Sequence, residues 1–220
     1  MTKQSEAIDL AEIVTGLVRA DNGQVRVDGI DARRLAGAAR AHIGYAPQEL
    51  GLYPTATLRQ NLALFGRLHG LRRRALARAI EATAHDLALT EVLDRRIGVL
   101  SGGQKRRAQA ATALLHEPSV LLLDEPTAGA DPVTRDALLA VVSARARAGA
   151  AVCYTTHYLP ELDQLHATIA VAERGRVIAR GDQATLLGGL TDLHQPNLDD
   201  LYRRLTGGAD ERAHGGCRVA

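Results

Sequence analysis

The chain has 220 residues, enough for one domain with or without a small appended subdomain. Its formal charge of +2 is too small to mark a nucleic-acid footprint, and with no Trp and one Phe it lacks a stacking platform for single strands. No apolar run approaches the roughly 18 residues of a membrane-spanning helix.

The start, Met1-Thr2-Lys3-Gln4-Ser5-Glu6, has no signal-peptide pattern. Cys153 and Cys217 stand too far apart for a disulfide framework or a metal spacing, which points to a reducing cytosol. Gln24-Val25-Arg26-Val27-Asp28-Gly29 alternates polar and apolar residues into a turn and predicts a short strand with a hairpin corner. His42-Ile43-Gly44-Tyr45-Ala46 predicts a second strand, stopped by Pro47. Over about residues 58–93 the pattern is helical, with Leu62, Phe65 and Leu68 on one face and an arginine-rich stretch at 72–78.

Residues 102–116 continue as helix. Residues 120–123 and 151–154 are short continuous apolar runs, the mark of parallel strands buried on both faces. The helical segment 133–147 between them completes a strand–helix–strand crossover. Residues 169–172 and 176–179 flank Arg174-Gly175 as a hairpin, and residues 207–220 have no periodicity and are expected to be disordered.

Four groups of residues bear on chemistry. Leu100-Ser101-Gly102-Gly103-Gln104 places a hydroxyl and two bare backbones ahead of a helix, where exposed amides suit an anion; Ser101 there also reads as an ordinary N-cap. Leu121-Leu122-Leu123-Asp124-Glu125-Pro126 is an apolar strand ending in two acids that alternate sides. His157 follows a strand and two threonines, and alone reads as a structural residue; Gln48, in Tyr45-Ala46-Pro47-Gln48-Glu49, says nothing alone. The runs Arg72-Arg73-Arg74 and Lys105-Arg106-Arg107 read as solvated helix faces.

Taken together and in their order along the chain, from Gln48 to His157, these residues resemble the nucleotide-binding domain of an ABC-type ATPase, from about Glu12 to Gly207. The resemblance implies that Ser101, Gly102, Gly103 and Gln104 form the signature motif, which faces the γ-phosphate of ATP held by the other subunit. It implies that Asp124 holds Mg²⁺ through water and that Glu125 polarises the attacking water as general base. Gln48 matches the Q-loop glutamine, which senses Mg²⁺ or water and transmits to the membrane partner. Asp131, in Pro126-Thr127-Ala128-Gly129-Ala130-Asp131-Pro132, matches the D-loop contact across a dimer, with Ala130 where many members carry leucine. His157 matches the switch histidine on the γ-phosphate.

The implied cofactors are ATP and Mg²⁺, and the implied partners are a transmembrane permease subunit and a second ATPase subunit, with no nucleic acid. The implied place is cytoplasmic and peripheral, on the inner face of the cell membrane. Glu49-Leu50-Gly51-Leu52-Tyr53-Pro54-Thr55 and the ending 197–207 look like drug or antibiotic exporter ATPases.

No G-x-x-x-x-G-K-[ST] loop occurs in the 220 residues. Aligning Glu12-Ile13-Val14-Thr15-Gly16-Leu17 with the helix after such a loop puts the loop at about residues 1–8, which share nothing with it. The expected fold is therefore α/β, a P-loop NTPase-type parallel sheet core over residues 1–206, N-terminally truncated, with an α-helical subdomain at about 58–116. The strand that would lead into the loop is expected beside the Asp124 strand. Losing three charge-assisted bonds to phosphate costs about 5–9 kcal/mol, or roughly 10³–10⁶ in affinity, so tight ATP binding by this chain alone is not expected. Three functions stay open: an exporter ATPase subunit, a non-hydrolysing partner that lends its signature to an intact subunit, and a DNA-associated ABC ATPase. The absence of a coiled-coil insertion and of zinc-spaced cysteines disfavours the third.

Overall fold

The computed structural model describes residues 6–32, 36–173, 176–188 and 197–205. They fall into two compact units, one of Asp9–Cys153 and one that takes Tyr154 onward together with the first residues of the chain.

In the larger unit, α1 (Glu6–Thr15) leads to a hairpin of β1 (Arg26–Val27) and β2 (Ile30–Asp31), with Arg26 opposite Asp31. The corner falls where the alternation predicts it. Asp28 and Gly29 both take positive φ, 50° and 77°, the pair that a tight hairpin turn matched to strand twist requires. After α2 (Ala36–Ala41), β3 (Ile43–Ala46) runs parallel to β4 (Val120–Asp124), with Ile43 opposite Val120 and Ala46 opposite Leu123. With β5 (Ala151–Thr155) they form a sheet in the order β3-β4-β5, and α6 (Pro132–Arg147) is the crossover helix between β4 and β5.

That order corrects one expectation. β4 is hydrogen-bonded on both edges, so no further strand can lie beside Asp124. Leu121, Leu122 and Leu123 are all buried, as a strand covered on both faces demands.

Between β3 and β4 the chain forms α3 (Leu58–Leu68), α4 (Arg73–Asp86), two 3₁₀ turns and α5 (Gly102–Leu114). The predicted helical stretch 58–93 is thus two helices and a turn. Gly70 breaks it: at φ 85° it closes α3, with its amide on Arg67 O and the Leu71 amide on Gly66 O at 2.8 Å. The predicted apolar face is also corrected, because α3 buries Leu58, Asn61, Leu62 and Gly66 while Leu68 stays 72% exposed. Gly66 decides this rotation; a Cβ there would meet Leu76 Cδ1 at 2.5 Å, so bare backbone lets α4 in. Gly44 does the same for β3, where a Cβ would stand 2.1 Å from Ala113 O of α5.

In the smaller unit, α7 (Pro160–Leu165) precedes the antiparallel pair β6 (Ile169–Glu173) and β7 (Arg176–Gly181), followed by α8 (Gln183–Gly188) and α9 (Leu198–Leu205). Leu159, Leu162, Ile169, Val171, Leu198 and Leu201 form its core. The predicted hairpin is present; its turn, Arg174-Gly175, and the predicted disordered tail 207–220 lie outside the described residues.

Candidate nucleotide site

β3 and β4 are parallel neighbours, so their C-terminal ends carry Gln48 and the acid pair to one end of the sheet. Asp124 closes β4 and is buried. Its negative charge reaches both flanking strands. Burial, then Asp124, then Glu12 push the Tyr45 hydroxyl up to about 12, and burial and then Asp124 raise the Cys153 thiol. Glu125 follows at φ 45°, a left-handed conformation that costs a residue with a Cβ about 1–2 kcal/mol. There its Oε2 accepts a hydrogen bond from Gln48 Nε2 at 3.1 Å. Asp124, Glu125 and the amide oxygen of Gln48 offer hard oxygen donors, the set that Mg²⁺ prefers, and no soft ligand competes among them. The residues fit that ion. Among the described residues no cluster of three or more His, Cys, Asp or Glu side chains forms a metal site of another kind.

Ser101 is the N-cap of α5, within a reciprocal capping box. Its Oγ accepts from the Gln104 amide at 3.2 Å, and its own amide donates to Gln104 Oε1 at 3.0 Å. Gln104 is thereby a capping residue, and the exposed Ser101-Gly102 turn carries the open end of the helix, where anions are favoured. Gly103 is bare for a packing reason as well: a Cβ there would lie 3.2 Å from Thr134 Oγ1 and 3.5 Å from Asp131 Oδ2.

Asp131 caps α6. Its Oδ1 accepts from the Thr134 amide at 2.9 Å and its Oδ2 from the Thr134 hydroxyl at 2.7 Å, and these bonds hold its carboxyl below the usual carboxylate range. His157 belongs to the other unit. It is exposed at the apex of a tight turn in which the Tyr158 amide donates to Thr156 Oγ1 at 2.9 Å. Within that same unit, Tyr154 OH donates to the buried Glu161 carboxylate at 2.9 Å.

The residues that sequence reasoning missed lie mostly on α5. Lys105, Arg106 and Arg107 are not a solvated face: Lys105 Nζ donates to Gly98 O, Arg106 Nη1 to Gln48 O, and Arg107 Nη1 to Leu87 O at 2.9 Å and to Ala88 O. One turn on from Arg106, buried Gln109 accepts the Gly51 amide at 2.9 Å. Arg106 and Gln109 therefore grip both ends of the loop 48–51 from one face of the helix that Ser101 starts. The i, i+3 spacing of an arginine and a glutamine was the only signal available, and it is too common to single them out. Asn61 holds the next stretch, with Oδ1 on the Tyr53 amide at 2.8 Å and Nδ2 on Thr57 O at 2.9 Å.

Comparison with known proteins agrees with this arrangement. The ABC transporter family model matches residues 9–128, more than half of the chain. The chain belongs to the ABC transporter family, and it is the ATP-binding subunits of that family that it resembles.

It is 38% identical over 183 residues to the linearmycin resistance ATP-binding protein LnrL of Bacillus subtilis (strain 168), a match that covers 81% of this chain and 58% of that protein. It is 42% identical over 168 residues to the daunorubicin resistance ATP-binding protein DrrA2 of Streptomyces coeruleorubidus, covering 76% of this chain and 52% of that one. The chain thus spans little more than half the length of these relatives. A solved structure of an ATP-binding subunit of an ABC transporter superimposes with a TM-score of 0.81 at 26% identity, covering 90% of this chain and 82% of the other. No helix among the described residues is long and apolar enough to cross a membrane.

Proposed function

We propose that the chain acts at the nucleotide step of an ABC exporter of drugs or antibiotics, as a cytoplasmic subunit peripheral to a membrane permease and paired with a second ATPase subunit. The observation that carries this reading is the Gln48–Glu125 hydrogen bond at the buried Asp124, which gathers the three side chains suited to Mg²⁺ and to the attacking water. Asp124 and Gln48 would hold the ion. Glu125 would take the proton of water as general base, and His157 would steady the γ-phosphate. Ser101, Gly102, Gly103 and Gln104 would face the phosphate of the neighbouring subunit's ATP, with Asp131 at the subunit contact. The resistance proteins among the relatives support the exporter assignment.

A second reading rests on the exposed Ser101-Gly102 turn at the open end of α5. In it the chain hydrolyses nothing and lends Ser101–Gln104 to ATP held by an intact subunit.

The test is ATP turnover by the 220-residue chain, alone and mixed with an intact ABC ATPase subunit. We expect none above buffer alone. In the mixture, a fall of roughly 10²–10⁴ with Glu125→Gln would assign the hydrolytic role to this chain. Loss with Ser101→Arg but not with Glu125→Gln would assign signature donation. No response to either substitution would defeat both readings.

A further inference from the structure

The chain leaves β3 at Ala46, and Pro47 has no amide with which to continue the ladder. Gln48 lies in a bend outside any strand, so its carbonyl needs a partner from elsewhere. That partner is Arg106 Nη1, from the second turn of α5. Gln48 thus carries two bonds of different origin. Its carbonyl accepts from Arg106, and its side chain donates to Glu125 Oε2 at 3.1 Å.

The three consecutive basic residues of α5 differ in what they hold. Lys105 Nζ reaches Gly98 O at 3.3 Å, and Arg107 Nη1 reaches the carbonyl of Leu87, the C-cap of α4, at 2.9 Å. Both carbonyls lie in the stretch between α4 and α5, so those two bonds are internal to the helical segment. Arg106 alone of the three reaches back to the end of β3. It is half-buried and forms no ion pair among the described residues, so its cationic donor is given to a neutral carbonyl. A glutamine has three side-chain torsions. With the backbone of the bend free as well, the amide would sample many directions; with the carbonyl held, the side chain starts from one place.

We propose that Arg106 is a positioning residue for ATP hydrolysis: it fixes the backbone of Gln48 so that the Gln48 side chain meets Glu125. The proposal rests on the reading in which Glu125 is the general base. In this role Arg106 touches neither nucleotide nor water and acts through Gln48. A lysine at 106 can still donate to the carbonyl, whereas methionine keeps the apolar stem and has no donor.

The first measurement needs no nucleotide. It follows the side-chain amide signal of Gln48 by NMR in the 220-residue protein, identified by its loss in Gln48→Glu. We expect the signal to shift when Glu125→Ala removes its acceptor, to shift likewise in Arg106→Met and Arg106→Ala, and to stay in place in Arg106→Lys. A Gln48 signal in the folded Arg106→Met or Arg106→Ala variant that matches the parent would overturn the proposal. Loss of the folded spectrum in both would make Arg106 a residue of stability and overturn it as well.

The second measurement is turnover in the mixture with an intact ABC ATPase subunit. Arg106→Met should lower it roughly 10–100-fold, the worth of a hydrogen bond from a charged donor, and Arg106→Lys should restore most of it. In a chain that already carries Gln48→Ala, Arg106→Met should add no further loss. An equal loss in both backgrounds would mean that Arg106 does not act through Gln48. If Glu125→Gln leaves turnover unchanged, the reading of Glu125 as base fails, and the amide signal still decides whether Arg106 sets Gln48.

Discussion

Gln48 and Glu125, 77 residues apart in sequence, meet through a 3.1 Å hydrogen bond from Gln48 Nε2 to Glu125 Oε2. Parallel pairing of β3 with β4 makes the meeting possible, and α5 fixes it, since Arg106 holds the Gln48 carbonyl and Gln109 the Gly51 amide. The helix that begins at Ser101 therefore sets where Gln48 can reach. Any shift of α5 along its axis would be felt at Glu125.

Removing the Gln109 side chain tests that brace. Gln109→Ala leaves the Gly51 amide without its acceptor at an exposed position, which costs about 0.5–1.5 kcal/mol. Hydrogen exchange at Gly51 should accelerate while exchange in the β4 core stays slow. Unchanged protection at Gly51 would show that the loop is held by other means.

Glu125 stores backbone strain at φ 45°. Glu125→Gly and Glu125→Ala both delete the carboxylate and its bond to Gln48, but only glycine adopts this conformation freely. The glycine variant should therefore be more stable than the alanine variant by about 1 kcal/mol in urea unfolding. Equal stabilities would mean that the residue relaxes out of the left-handed region.

Gly44 and Gly37 should respond to alanine with opposite signs. At Gly44 the new Cβ would stand 2.1 Å from a backbone oxygen of α5, which has no flexible end to move, and overpacking of this kind costs about 1–3 kcal/mol or more. At Gly37, in α2, nothing lies within 4 Å, and alanine's helix propensity should add up to about 1 kcal/mol. Thermal melts of the two variants check both signs.

His116 makes the fold acid-sensitive. Its Nε2 must carry a proton to donate to Ile43 O at 3.1 Å, while Nδ1 is buried without a hydrogen-bond partner among the described residues, and the ring stacks on His69 with centroids 3.7 Å apart. Burial, then the neighbouring His69, hold His116 down at about 4, from an ordinary 6.5, and burial lowers His69 too. Above about pH 4 His116 is neutral in the fold, whereas the unfolded chain takes up its proton first. Its contribution is complete above about pH 6.5 and is lost as pH falls toward about 4. The melting temperature should drop across that window, and His116→Gln should flatten the drop; an identical pH profile for the variant would remove His116 as its origin.

Ser101→Ala should cost about 1 kcal/mol of stability through the lost capping box, independently of any effect on turnover. A melting temperature equal to that of the parent would show that Gln104 alone suffices to cap α5.

The sequence alone determined whatever depends on neighbours in the chain. The Asp28-Gly29 corner, the Ser101 cap, the apolar run ending in Asp124 and Glu125 and the crossover helix after Asp131 are all written in residue type and period, and all stand in the structure. Tertiary structure decided the rest. Whether 58–93 was one helix or two turned on Gly70 and on the bare backbone of Gly66 admitting Leu76, and the face that α3 buries followed from the same contact. The neighbours of β4 were fixed by hydrogen bonds along both its edges, which no single-strand pattern encodes. Arg106 looked like one more surface arginine because its partner is a backbone carbonyl 58 residues earlier, and a carbonyl has no residue identity to read. Periodicity reports which side of an element is apolar; it carries no information about which distant backbone group that side will meet.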